Sequence, residues 1–180
     1  MIRKLTTSFI FFFLICAFLF GKVSAQQTID TSPSPSPNLI PAIEVTYESV
    51  NPPDGMPFLL KRVKEKIGLF FSFSNESKIN NYKKLTEVRL AELKFIIEKN
   101  HMGYFEKSTQ RYFTTVGQLT TLVTSKNVKN QYNPIREELL SHIPVLTKLR
   151  DNYDFDTAEW RFVEDDINYV KGYIDNLPKD

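Results

Sequence analysis

The chain has 180 residues and a formal net charge of +2, and 42% of its residues are hydrophobic, 24% charged and 13% aromatic. This length suits one domain with or without a tail, and the apolar content is too high for an intrinsically disordered protein. A single cysteine, Cys16, excludes a disulfide scaffold or a cysteine-rich zinc module, and two histidines leave little for histidine-based chemistry.

Residues 1–25 have the pattern of a secretory signal peptide. Arg3 and Lys4 precede an unbroken apolar run over residues 9–20, and the small residues Val23 and Ala25 follow it. The run is shorter than the ~20 residues that a membrane-spanning helix needs. We therefore expect cleavage after Ala25 and an extracytoplasmic protein. An uncleaved segment would instead anchor the protein to the membrane.

Removal of this segment changes the charge balance. It takes away Arg3, Lys4 and Lys22, which leaves 20 basic residues against 21 acidic ones. The positive charge of the whole chain is therefore no argument for nucleic-acid binding. Cys16 is removed as well, and a cysteine-free exported chain is typical of a bacterial envelope protein.

Residues 26–54 read as a linker, because a Ser-Pro repeat occupies residues 32–37 and further prolines follow. Such segments favour extended conformations and bury little surface. The linker either spaces a domain from a membrane or wall, or has no role beyond joining signal and domain.

Residues 55–180 are expected to form a helical domain of five helices, because apolar residues recur at steps of three and four. In the first helix the apolar face, opposite a charged side, is expected to pack in the core. It comprises Leu59, Leu60, Val63, Ile67, Phe70 and Phe71. The same amphipathic pattern is also that of a helix lying in a membrane interface, and this alternative stays open. The core stripes of the next four helices are Ile79, Tyr82, Thr86, Leu90, Leu93 and Ile97; Phe105, Thr109, Tyr112, Val116, Leu119 and Val123; Ile135, Leu139, His142, Leu146 and Leu149; and Trp160, Val163, Ile167, Val170, Ile174 and Leu177.

The boundaries of these helices carry recognisable signals. Ser74 or Asn75 offers an N-cap for the second helix, and Asn100 and Gly103 suit the turn after it. Asp156, with a glutamate three residues later, predicts a capping box for the last helix. No segment alternates with period two. The predicted fold is all-α: an antiparallel bundle of four to five helices with a long central hairpin of coiled-coil spacing, preceded by a disordered tether.

Two short motifs resemble a known family. A Pro-Asp start at residues 53–54 leads to Lys61-Arg62 with Glu65, and the next helix carries Arg-Leu-Ala-Glu over residues 89–92. This order resembles a family of exported bacterial helical domains of unknown function, typical of candidate-phylum bacteria. The resemblance covers about residues 53–125, and no match extends beyond residue 127. It implies a helical fold and export, and it implies no catalytic residue.

Charge divides the helical region in two. Residues 56–130 carry 14 basic and 6 acidic side chains, whereas residues 131–180 carry 6 basic and 11 acidic ones. One interpretation is that the basic half docks on the acidic half; we expect this one to dominate. The other is that the basic face meets anionic lipid head groups or wall polymers such as teichoic acid. The candidate contacts with a polyanion or membrane surface are Lys61, Arg62, Lys64 and Lys66.

No catalytic, cofactor-binding or metal site is expected. His142 lies on an apolar stripe, and neither histidine has a serine–acid or cysteine arrangement near it. Asp151, Asp154 and Asp156 lack the spacing of a calcium loop.

Two hypotheses of function remain. The first is a non-enzymatic exported module that binds or scaffolds an unknown protein or polymer of the cell envelope. The alternative is a periplasmic-type sensor or chaperone-like protein that binds peptide, misfolded protein or metal.

Overall fold

The computed structural model describes residues 43, 45–50 and 56–179. Over these ranges the protein is all-α, as predicted, and has no strand. Its five main helices are α1 (Met56–Phe70), α2 (Asn75–Glu98), α3 (Phe105–Ser125), α4 (Tyr132–Arg150) and α5 (Ala158–Asn176). A four-residue helical turn, Tyr47–Val50, precedes α1. The predicted signal segment and most of the predicted linker lie outside the described residues.

The helix ends follow local capping chemistry. Ser74 caps α2, because its side-chain oxygen accepts a hydrogen bond from the backbone N–H of Ser77 at 3.0 Å. Asn100 takes the left-handed backbone, with φ of 52°, in the turn after α2. The predicted cap of α5 is corrected by one residue. Thr157 caps this helix, whereas Asp156 has a φ of 69° and holds the guanidinium of Arg161 at 2.7 and 2.8 Å.

Helices α2 to α5 form a bundle of two helical hairpins that pack against each other. The hairpins α2–α3 and α4–α5 each pack along most of their length, and they join through α3 against α5 and α2 against α4. Phe105 contacts Phe162 and Phe113 stacks on Tyr169, with ring centroids 5.9 and 4.7 Å apart. Residue numbers increase from the first contact to the second on both helices, so α3 and α5 run parallel.

The aromatic side chains on the outer side of α5 belong to this α3–α5 contact. They are Phe162, Tyr169 and Tyr173, and each packs against a residue of α3. The Tyr173 hydroxyl crosses α3 at Gly117, where a Cβ would lie only 2.6 Å from the hydroxyl oxygen. A larger residue at position 117 would displace the Tyr173 ring from this contact.

The predicted apolar stripes of α2 to α5 form the core. Leu90, Tyr112 and Leu139 are fully buried, and most of the other stripe residues are below a tenth exposed. Val50, within the predicted linker, is also buried in this core. The packed part of the chain therefore begins before residue 55, because Val50, an apolar residue near the end of the predicted linker, is buried against the bundle.

The prediction for the apolar side of helix α1 is wrong. Its apolar residues were expected in the core, yet Leu60 is 61% exposed, Val63 51% and Ile67 49%. The helix lies on the outside of the bundle and turns its charged side inward.

Candidate interaction surface on helix α1

The inward side of α1 is held by a cluster of ion pairs with α2. Nη1 of Arg89 on α2 donates hydrogen bonds to both carboxylate oxygens of Glu92, at 3.0 and 2.9 Å. Its Nη2 donates a hydrogen bond to Glu65 of α1. Lys61 donates to Glu92, and Arg62 donates to Glu65 at 3.0 Å. We call these five residues the ion-pair cluster.

The order of charges explains why the charged side faces inward. Helix α1 presents a cation, Lys61, and then a carboxylate, Glu65, whereas antiparallel α2 presents Glu92 opposite the first and Arg89 opposite the second. Arg89 and Glu92 are only 3% and 2% exposed, so they need partners of opposite charge. The two motifs that carried the sequence resemblance therefore meet in space and form this contact.

Burial dominates the electrostatics of the cluster. It raises the pKa of Glu65 above its ordinary value, although the neighbouring guanidinium of Arg62 acts in the opposite direction. A carboxylate in this position depends on its cationic partners for its charge to be tolerated.

The outward side of α1 and the segment after it form a continuous apolar surface, which we call the apolar face. Its phenylalanines are the most exposed: Phe70 is 78% exposed and Phe73 89%, and Phe71 packs edge-on against both. Contiguous exposed apolar surface of this kind usually marks an interaction site. The apolar face comprises Met56, Leu59, Leu60, Val63, Ile67, Phe70, Phe71 and Phe73.

The four predicted contact residues, three lysines and one arginine, fall on two different sides of α1. Lys61 and Arg62 belong to the ion-pair cluster and are directed at acidic partners within the domain. Lys64 and Lys66 are exposed, and neither takes part in an ion pair among the described residues. At 3.6 residues per turn these two lysines border the apolar face on opposite sides.

The two charged halves of the chain make little contact through their charges. Among the ion pairs of the described residues, one joins the halves, between Lys83 and Glu138 at 3.1 Å. The others lie within one half, such as Arg150 with Glu164 at 2.6 Å. Direct ion pairs therefore contribute little to the contact between the basic and the acidic half.

The remaining candidate residues have structural surroundings. His142 is buried, its Nδ1 lies 3.0 Å from the Tyr112 hydroxyl, and burial lowers its pKa to about 4. Asp151 and Asp156 each pair with an arginine. No group of potential metal ligands assembles among the described residues, and none of their helices is long and apolar enough to cross a membrane.

These features define the class of protein: an all-α bundle with one outer amphipathic helix that presents its apolar side to the exterior. The chain belongs to a family described as a domain of unknown function, DUF5667, whose model matches residues 51–154. The match spans α1 to α4, further than the resemblance seen in the sequence, and ends before α5. No curated protein and no solved structure matches the chain.

Proposed function

We propose that this protein is an exported, non-enzymatic binding module of the cell envelope that docks on an anionic membrane surface through α1. The observation that carries the proposal is the outward apolar face bordered by Lys64 and Lys66. A helix that lies in a membrane interface has this construction, with apolar side chains at the level of the acyl chains and cations at the head groups. The expected signal segment and Ser-Pro linker would place the domain outside the cytoplasm and near a membrane.

The lysines favour a membrane over the other occupants of an apolar surface. A second copy of the chain, paired through the same face, would bring the lysines of both copies to one rim, where like charges repel. A misfolded client needs apolar contact but no cations on both sides. Anionic head groups satisfy both parts of the surface, at roughly 1 kcal/mol per lysine near the membrane.

Replacing Leu60 and Val63 together by aspartate is expected to abolish most binding to vesicles that contain phosphatidylglycerol. Both side chains are exposed, so the melting temperature should change little, whereas the loss of two aliphatic contacts removes the apolar part of docking. Co-sedimentation with vesicles measures the effect. Leu140→Asp is the control, because Leu140 is a leucine of comparable exposure, 51%, on α4.

The same assay tests the charges. Reversal of Lys64 and Lys66 to glutamate should weaken vesicle binding by at least about 2 kcal/mol, or about thirtyfold in the partition coefficient. Binding of the unaltered protein should fall as salt rises. Reversal of the exposed Lys148 and Lys171 makes the same charge change away from α1 and should have a much smaller effect.

Three outcomes would contradict the proposal. The first is equal binding to neutral and anionic vesicles. The second is a dimer in sedimentation velocity that Leu60→Asp/Val63→Asp dissolves in the absence of lipid. The third is suppression of light scattering by a denaturing client protein without any vesicle binding, which would favour the chaperone-like alternative.

A further inference from the structure

A groove runs beside α1, between this helix and α3, and it has two chemically different ends. Two adjoining cavities of about 860 and 420 Å³ form it, and they share Lys66, Leu69, Thr114 and Gln118. Volumes of this size are usual for small-molecule sites. The groove lies on the Lys66 side of α1, next to the apolar face, and the two surfaces share Phe70.

The smaller cavity has unmatched positive charge, and we call it the arginine end. The guanidinium groups of Arg62 and Arg111 both lie against the Phe58 ring, 4.9 and 5.7 Å from its centroid. Arg62 Nη2 is buried and has no hydrogen-bond partner among the described residues. Arg111 takes part in no ion pair there, and its Nε donates only to the Lys107 carbonyl of its own helix, at 2.9 Å.

The charge count at the arginine end favours an anion. The ion-pair cluster and Arg111 together contribute four cations against the two carboxylates Glu65 and Glu92. Burial and the nearby charge of Arg62 both lower the pKa of Arg111. Arg62 and Arg111 both line this cavity, and an anionic group bound in it would accept hydrogen bonds from their guanidinium groups.

The larger cavity is mostly apolar, and we call it the aromatic end. It is lined by Phe70, Tyr82, Phe113, Leu122 and Tyr173, with Lys78 at its margin. Gly117, which Tyr173 approaches closely, also lines it. An alkyl chain suits this lining, since burial of each CH₂ contributes roughly 0.8 kcal/mol.

We propose that the groove binds a single-chain amphiphile with an anionic head group, whose head lies at the arginine end and whose alkyl chain lies at the aromatic end. The head is a carboxylate or a phosphate, because both accept hydrogen bonds from guanidinium groups. The site is independent of docking on a membrane, since a monomeric amphiphile reaches it from solution.

Calorimetric titration of the full chain with dodecanoate below its micelle concentration, without vesicles, tests this site. Dodecanoate should bind at one site per chain, whereas acetate, which lacks the chain, and dodecyltrimethylammonium, which has the opposite charge, should not. Dodecyl phosphate is titrated in parallel, and the tighter of the two anions identifies the source of the natural head group.

Two variants locate the site. Arg111→Gln should weaken dodecanoate binding about tenfold or more, because one charge-assisted hydrogen bond is lost, and it should fold normally because Arg111 holds no ion pair among the described residues. Thr114→Trp, at an exposed position shared by both cavities, should block the groove. Arg161→Gln removes the same charge from the surface of α5 and should bind dodecanoate normally.

The proposal is overturned if dodecanoate does not bind, if Arg111→Gln and Thr114→Trp bind it as tightly as the unaltered chain, or if the cationic amphiphile binds equally well. Because no vesicle is present, these results do not depend on whether α1 docks on a membrane.

Discussion

Replacement of Arg89 by methionine is expected to destabilise the domain by about 3–5 kcal/mol, the range found when one partner of a buried ion pair is removed. The aliphatic part of the side chain is kept, so the loss reports the charge. Glu65 and Glu92 would remain in a poorly hydrated place with only Arg62 and Lys61 as partners. Urea unfolding at pH 7 measures the difference.

Lys94→Met on the same helix is the matched control. Lys94 forms an exposed i,i+4 pair with Glu98 at 3.8 Å, and such pairs contribute at most about 0.5 kcal/mol. Adding Glu92→Gln to Arg89→Met should recover part of the lost stability, because it removes one uncompensated carboxylate. Equal stability of Arg89→Met and Lys94→Met would contradict the assignment of the ion-pair cluster.

Replacement of Asp166 by asparagine is expected to stabilise the protein at pH 7, by about 2 kcal/mol or more. Asp166 lies on α5, is 1% exposed, and neither of its carboxyl oxygens has a hydrogen-bond partner among the described residues. Burial, aided by the neighbouring charge of Asp165, raises its pKa from 3.8 to about 9.

The pH dependence of this effect has a definite sign. Between pH 4 and 9 the unfolded chain has lost the Asp166 proton whereas the folded chain retains it, so the stability of the unaltered protein falls as pH rises. The advantage of Asp166→Asn should therefore grow with pH across this window, at up to about 1.4 kcal/mol per pH unit. Below pH 6.5 the buried His142 makes stability rise with pH, because its pKa is lowered in the folded state. This effect is present in both proteins and cancels when their free energies of unfolding are subtracted.

Asp165→Asn provides the comparison, since Asp165 is exposed and adjacent. It should change stability little at any pH. A constant difference between Asp166→Asn and the unaltered protein from pH 4 to 9 would show that the Asp166 carboxyl is solvated in the folded state.

The bundle was predictable because each of its helices has a single mainly apolar side, which has to face the other helices to be buried. Tyr112, Val116 and Leu119 recur at heptad spacing along α3, and no charged residue interrupts that side of the helix. The same holds for Val163, Ile167 and Val170 on α5, and both stripes are fully buried or nearly so. The exact cap of α5 was less predictable, since Asp156 and Thr157 are both good cap residues.

The orientation of α1 was not predictable from its own residues. An amphipathic pattern shows that two sides of a helix differ, but it does not say which side meets the bundle. The deciding information lies on α2, where Arg89 and Glu92 sit beside the core residues Leu90 and Leu93. Within the described part of α2 to α5, Arg89 and Glu92 form ion pairs only with each other. Their remaining partners are Lys61 and Glu65, which carry the opposite charges in reverse order, and this match is the signal that would have identified the inward side.

The outward orientation of the apolar side of α1 can be measured by thiol labelling. In a chain with Cys16→Ser, Val63→Cys on α1 and Val116→Cys on α3 make the same substitution at positions that are 51% and 0% exposed. We predict that the Val63→Cys thiol reacts with a maleimide in solution nearly as fast as in urea, whereas the Val116→Cys thiol is strongly protected. Equal protection of the two thiols in the folded protein would mean that α1 packs through its apolar side, which would contradict the outward orientation.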